Sequence, residues 1–136
     1  MLTAVDSSVI LDVVCADPRH AESSAHALRS AAAEGSLVVC ECVIAEIRPA
    51  FDRRQFARFL SDWQLRFVPS SEESAVLAGE LFALYVRRGG LSRALVPDFL
   101  IGAHAVLHAN RLLARDRGFL RDYFHSLTVI NPSLEH

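Results

Sequence analysis

Short runs of apolar residues recur along this chain between stretches of helical periodicity, at residues 1–5, 37–40, 65–68, 111–114 and 127–130. Each stops at a polar residue or a proline, so none is long enough to read as a helix, and each fits a strand buried on both faces. The intervening stretches supply the cover. Ser7 or Ser8 can cap a helix through Val9, Ile10 and Leu11. Pro18 opens a second helix with Ala21, Ala25, Leu28 and Ala32 on one face and Gly35 as its stop. A helix from Glu41 to about Arg48 is broken near Pro49, and residues 53–63 resume helical spacing through Phe56, Phe59, Leu60 and Trp63. Ser70 and Glu73 have capping-box spacing ahead of a long helix that ends at Gly89-Gly90. Pro97 opens another, running to Asn110, and a short helix is expected around residues 118–124. Strands alternating with helices predict a three-layer α/β/α domain around a central, mainly parallel sheet of about five strands.

With 136 residues, 51% of them apolar, the chain suits one folded core. Residues 1–133 read as that single domain, and Leu134-Glu135-His136 as the remnant of a purification tag. No apolar run reaches membrane-spanning length and no basic leader opens the chain, so the expectation is a cytoplasmic protein without a membrane partner. All 14 cationic side chains are Arg; there is no Lys. That excludes a Walker-type phosphate loop and Schiff-base chemistry, both of which need an amine. Cys15, Cys40 and Cys42 read as reduced thiols. The last two could share one face of a strand but read as small core hydrophobes.

Four acids stand in apolar company, while the other acids have ordinary solvated settings. Asp6 ends the first strand, Glu46 lies in Cys42-Val43-Ile44-Ala45-Glu46-Ile47, Asp98 shares a helical face with Ile101, Gly102 and Ala105, and Asp116 follows the fourth strand. In parallel sheets ligands bind beyond the carboxyl ends of the strands, which picks out Asp6 and Asp116. Three of them also have a purely structural reading: a helix N-terminus for Asp98, Arg115 or Arg117 for Asp116, Arg48 or another helix for Glu46. Together on four elements, they would repel unless a divalent cation neutralised them, and an all-oxygen site suits Mg²⁺ or Mn²⁺.

These segments carry a resemblance. Val5-Asp6-Ser7-Ser8-Val9-Ile10-Leu11-Asp12, Ile44-Ala45-Glu46, residues 97–105 and Leu112-Leu113-Ala114-Arg115-Asp116-Arg117-Gly118-Phe119, in this order and spacing, make the chain similar to PIN-domain ribonucleases over residues 1–133. Length and motif order most resemble the toxin half of bacterial VapBC toxin–antitoxin modules. The resemblance implies a metal-dependent endoribonuclease toxin, with Asp6, Glu46, Asp98 and Asp116 as catalytic metal ligands and Ser8 as the hydroxyl following the first Asp. It also implies an RNA substrate, a homodimer and a cognate antitoxin that obstructs the site with a basic side chain. Ala114 departs from the family, which commonly carries Thr or Ser there. The contrasting expectation is a PIN-like binding or assembly module without activity.

Other constellations fall short. His104 and His108 have zinc-pair spacing, but position 105 is Ala where a metalloprotease needs Glu, so packed or surface histidines are expected. There is no Gly-x-Ser-x-Gly elbow, and Asp6-Ser7-Ser8 lacks a phosphatase's second Asp. The formal charge of −2 conceals a basic remainder once the four acids are set aside. Arg87, Arg88 and Arg93 fall in an acid-free stretch around Gly89-Gly90, and Arg111, Arg115, Arg117 and Arg121 follow. These are candidates to hold phosphates, the first three being assigned to RNA binding; solvated helix ends are the alternative.

Overall fold

The structure, a computed structural model, describes residues 1–91, 95–115 and 122–132. Asp116, Arg93, Arg117, Arg121 and the tag-like residues 134–136 lie outside the described residues, as does most of the short helix expected around 118–124. The strands are β1 (Leu2–Val5), β2 (Ser36–Val39), β3 (Leu65–Phe67), β4 (Arg111–Leu113) and β5 (Val129–Ile130). The helices are α1 (Ser7–Val14), α2 (Ala21–Glu34), α3 (Glu41–Ile47), α4 (Arg53–Asp62), α5 (Glu72–Arg87) and α6 (Val96–His108), and a short turn at Arg48–Ala50 follows α3.

All five strands are parallel, in the order β3-β2-β1-β4-β5. Strand β1 is central: Ala4 pairs with Val38 on one side and Leu112 on the other. Thr3, Ala4 and Val5 are all buried although successive side chains point to opposite faces, so both faces of the sheet are covered. The expected three-layer architecture is what forms. The chain builds outward from β1 to β2 and β3, then returns to place β4 on β1's other flank. The order of strands therefore reverses at β1 and β4, where ligand crevices form in open α/β sheets.

Local details depart from expectation where long-range partners intervene. Asp6, not Ser7 or Ser8, is the N-cap of α1, its carboxylate accepting from the Ser8 N–H. In α2 the buried stripe is Ser24, Ala27, Leu28 and Ala31, rotated from the expected one. The cause is Ser24, a polar residue drawn inside by a buried acid on α1. The capping box of α5 is Ser71 with Ser74, one residue later than predicted, because the Ser70 N–H is given to Glu41. Cys40 and Cys42 are not on one strand face: Cys40 caps α3 and Cys42 lies within it. Both pack as hydrophobes, and burial pushes the Cys42 thiol up to about 12.

A glycine joins α2 to β2 where the chain passes the start of β1. A Cβ on Gly35 would lie 1.9 Å from the Met1 carbonyl oxygen, a backbone atom that cannot swing away. Exposed Gly79, in the middle of α5, has open space instead. Gly35→Ala is expected to lower stability by about 1–3 kcal/mol through overpacking. Gly79→Ala should raise it by about 0.5–1 kcal/mol through helix propensity. Denaturant unfolding of the two variants checks both signs.

Candidate functional site

The site is built at the carboxyl end of β1. The Asp6 N–H continues the ladder to the Leu113 carbonyl (2.9 Å), so the residue is fixed by the sheet before its side chain does anything. Asp6 Oδ2 accepts from the Ser8 N–H (3.1 Å) and from Ser8 Oγ (2.5 Å). Neighbouring Ser7 donates its hydroxyl to Glu46 Oε1 on α3 at 2.9 Å. Two consecutive serines thus hold two carboxylates from different elements.

Asp98 enters from the first turn of α6, which Pro97 helps to open. Its face-mates Ile101, Gly102 and Ala105 are buried, as the spacing predicts. Burial pushes the Asp98 carboxyl up to about 6, assisted by the negative charges of Asp6 and Glu46. The structure thus brings Asp6, Glu46 and Asp98 within electrostatic reach of one another across three elements. Contrary to expectation, Glu46 is not in a low-dielectric setting. The buried face of α3 is Val43 and Ile47, and Glu46 turns to solvent beside it. Asp6 and Asp98 are partly buried, and Glu46 is exposed.

Only two ion pairs occur among the described residues, and neither involves these carboxylates: Arg111 with Glu34, and Arg115 with Asp12. Three hard oxygen donors without a cationic partner among the described residues fit a divalent cation chemically. Among the described residues, no three His, Cys, Asp or Glu side chains are placed closely enough to hold a metal ion, so Asp6, Glu46 and Asp98 do not form a metal-holding group without a further residue. A roomy cleft of about 590 Å³ opens at the opposite, amino end of β2 and β3, between Leu37, Leu60, Trp63 and Leu65; no acid lines it.

Of the basic residues, Arg87 and Arg88 are exposed at the end of α5. The helix is stopped by Gly89 in the left-handed region (φ 95°), with Gly90 N–H bonded back to the Tyr85 carbonyl. The Arg88 guanidinium stands 5.5 Å from the centre of the Tyr123 ring, and Tyr123 packs on Phe99, the residue after Asp98. Arg111 and Arg115 are engaged in ion pairs within the protein. Arg111 spans Glu34 and Thr3 Oγ1, and Arg115 is folded inward onto Asp12. His104 is a packed histidine: its Nε2–H donates to the Val68 carbonyl at 2.7 Å, and burial lowers its pKa. His108 Nε2 lies 3.0 Å from Ser71 Oγ.

Asp12 is the residue that sequence reasoning misses. At 3% exposure it is buried, whereas the sequence reading places it with the solvated acids. A signal for it does exist: an acid inside Val9-Ile10-Leu11-Asp12-Val13-Val14, flanked on both sides by apolar residues.

The chain matches the PIN domain family over residues 3–124, and it belongs to that family. Among solved structures it is similar to VapBC2 from Rickettsia felis bound to a promoter DNA fragment: 19% identity, TM-score 0.70, covering 96% of this chain and 98% of that one. It is also similar to FitAcB from Neisseria gonorrhoeae, at 20% identity and TM-score 0.67, covering 97% and 99%. VapBC-1 from nontypeable Haemophilus influenzae gives 14% identity and TM-score 0.69, covering 98% and 99%. At these identities the likeness is one of fold. Comparison with the curated proteins gives no significant match. No helix among the described residues is long and apolar enough to cross a membrane.

A raised acid pKa has a definite sign. The Asp98 carboxyl ordinarily titrates at 3.8 and here at about 6, so the folded state holds its proton more tightly than the unfolded chain. Ionising it therefore costs stability as pH climbs from about 4 to about 6. In metal-free buffer Asp98→Asn is expected to melt above wild type near neutral pH, the gap narrowing as pH falls through that window. Calorimetric Tm values across the range test it; a gap that does not vary with pH would refute the assignment.

Proposed function

We propose that this protein is a metal-dependent endoribonuclease, the toxin of a bacterial toxin–antitoxin pair. The observation that supports the proposal is that Asp98 feels the charges of Asp6 and Glu46 at the carboxyl end of β1 in a PIN-family fold, with no cationic side chain paired to the three among the described residues. Asp6, Glu46, Asp98 and Asp116 are the proposed ligands, for Mg²⁺ or Mn²⁺. When bound, the cation supplies Lewis-acid activation of water and neutralises charge developing on the phosphate.

The chain's own groups orient the rest. Ser8 engages Oδ2 of Asp6 and Ser7 engages Oε1 of Glu46, so Oδ1 and Oε2 are the oxygens left as donors. Glu46 or Asp116 orients the attacking water; the exposure of Glu46 leaves it accessible for that task. Arg87, Arg88 and Arg93 hold RNA phosphates rather than perform chemistry, and the ring contacts from Arg88 through Tyr123 to Phe99 lead from that basic end toward Asp98. The VapBC structures that share this fold, and a further one from Klebsiella pneumoniae, are of toxin–antitoxin systems, which supports a cognate antitoxin as partner. A homodimer and a cytoplasmic location belong to the same reading.

RNA cleavage by the antitoxin-free protein tests it. Mn²⁺ should support cleavage, EDTA should abolish it, and Asp6→Asn or Asp98→Asn should each reduce it by about a hundredfold or more. Asn is as good an N-cap as Asp, so Asp6→Asn spares α1 while removing the charge. Folded protein that cleaves no RNA with either metal would instead favour an inactive binding module. For the basic residues, Arg87→Ala with Arg93→Ala leaves the Arg88–Tyr123 pair in place. Each phosphate interaction so removed should flatten the slope of log affinity against log salt by about 0.7. An unchanged slope would leave these arginines as ordinary solvated side chains.

A further inference from the structure

The most buried ion pair among the described residues lies beside the candidate site rather than in it. Asp12 receives Ser24 Oγ at 2.6 Å and the Arg115 fork, Nε at 2.7 Å and Nη2 at 2.8 Å. A bidentate guanidinium–carboxylate pair fixes a plane as well as a distance. A buried pair is a poor source of stability, since apolar residues of similar volume commonly do as well. Its directional information is what apolar packing would lose.

That information reaches the site by a short path. Asp12 and Ser8 are four residues apart on α1 and share a helical face. Both hold residue 115: Asp12 takes its guanidinium, and Ser8 Oγ accepts its backbone N–H at 3.3 Å. Arg115 is thereby gripped at both ends, and the direction of its amide is set. A serine hydroxyl has one hydrogen. With the oxygen accepting from Arg115, that hydrogen is directed to Asp6 Oδ2.

We infer that Asp12 is a positioning residue of the candidate metal site, acting through Arg115 and Ser8 to orient the Asp6 carboxylate. The inference rests on the proposed function above. It assigns Asp12 no contact with metal or substrate. Ser8, bonded directly to Asp6, is a partner of the kind that commonly changes metal affinity by about 10–100-fold, and Asp12 acts through it.

Mn²⁺ binding by the folded, metal-stripped protein provides the test, read by titration calorimetry and by the rise in Tm that Mn²⁺ produces. Asp12→Asn keeps shape and loses charge; Arg115→Lys keeps charge and loses the fork. Each folded variant is expected to bind Mn²⁺ about tenfold or more weaker than wild type, and whichever of the two folds decides. Arg111→Ala breaks the other ion pair, with Glu34, and should leave Mn²⁺ affinity unchanged, separating positioning from a general loss of stability. A folded Asp12→Asn or Arg115→Lys protein that loses less than about fivefold in affinity overturns the inference. If wild type itself binds Mn²⁺ no better than Asp98→Asn does, the carboxylate site fails as a whole. If wild type binds well, Asp98→Asn does not, and the Asp12 variant matches wild type, only the role of Asp12 fails.

Discussion

The Asp6 N–H bond to Leu113 links everything that follows at the site. It extends the β1–β4 ladder by one residue past the end of β1, at the point where strand order reverses. The same residue begins α1, and its carboxylate caps that helix. One side chain therefore serves the sheet, the helix and the crevice. Its position follows from the register of Val5 with Leu113, itself set by strands buried on both faces. Shifting β1 by one residue would turn its buried set onto the opposite faces and carry Asp6 away from Ser8 and β4 together. The core and the candidate site thus share one registration.

Clustering acids on that registration has an electrostatic cost, and the fold distributes it unevenly. Asp98 bears most of it, half-buried between α6 and its acidic neighbours, and its carboxyl titrates high. Asp6 is compensated by two donors from Ser8, while Glu46 keeps one hydroxyl and its solvent. The guanidinium of Arg115, whose backbone N–H reaches Ser8, is committed elsewhere, to Asp12. A guanidinium turned to the crevice would neutralise the acids permanently; one turned inward leaves their charge for an exchangeable cation. Arg115 faces inward.

Element types and the layered, parallel architecture were legible in the sequence because they depend on short-range periodicity and on the alternation of elements: apolar runs too short for helices, Pro97 near a helix start, glycines at helix ends; the strand order was not. The resemblance to PIN domains was legible for the same reason, being carried by acids at strand ends and helix starts. What escaped depended on partners far along the chain. The capping box moves by one residue because Glu41 claims the Ser70 amide. The buried stripe of α2 rotates because Asp12 claims Ser24. Glu46 reads as buried from its apolar neighbours in sequence, although its side chain is exposed beside the buried Val43 and Ile47.

Asp12 shows why an apolar context is an ambiguous signal for chemistry. The same pattern, an acid among core hydrophobes, describes Asp98, which has no cationic partner among the described residues, and Asp12, which is matched by three donors. Only the location of Arg115, more than a hundred residues away, distinguishes them. An acid whose charge is met by a fork of fixed geometry holds a shape. An acid whose charge is met by other acids is poised to bind something positive. In this fold Asp6, whose charge bears on Asp98, and Asp12 lie six residues apart, joined through Ser8 and Arg115. The rigidity of the second is what allows the first to keep its charge open to solvent without losing its place.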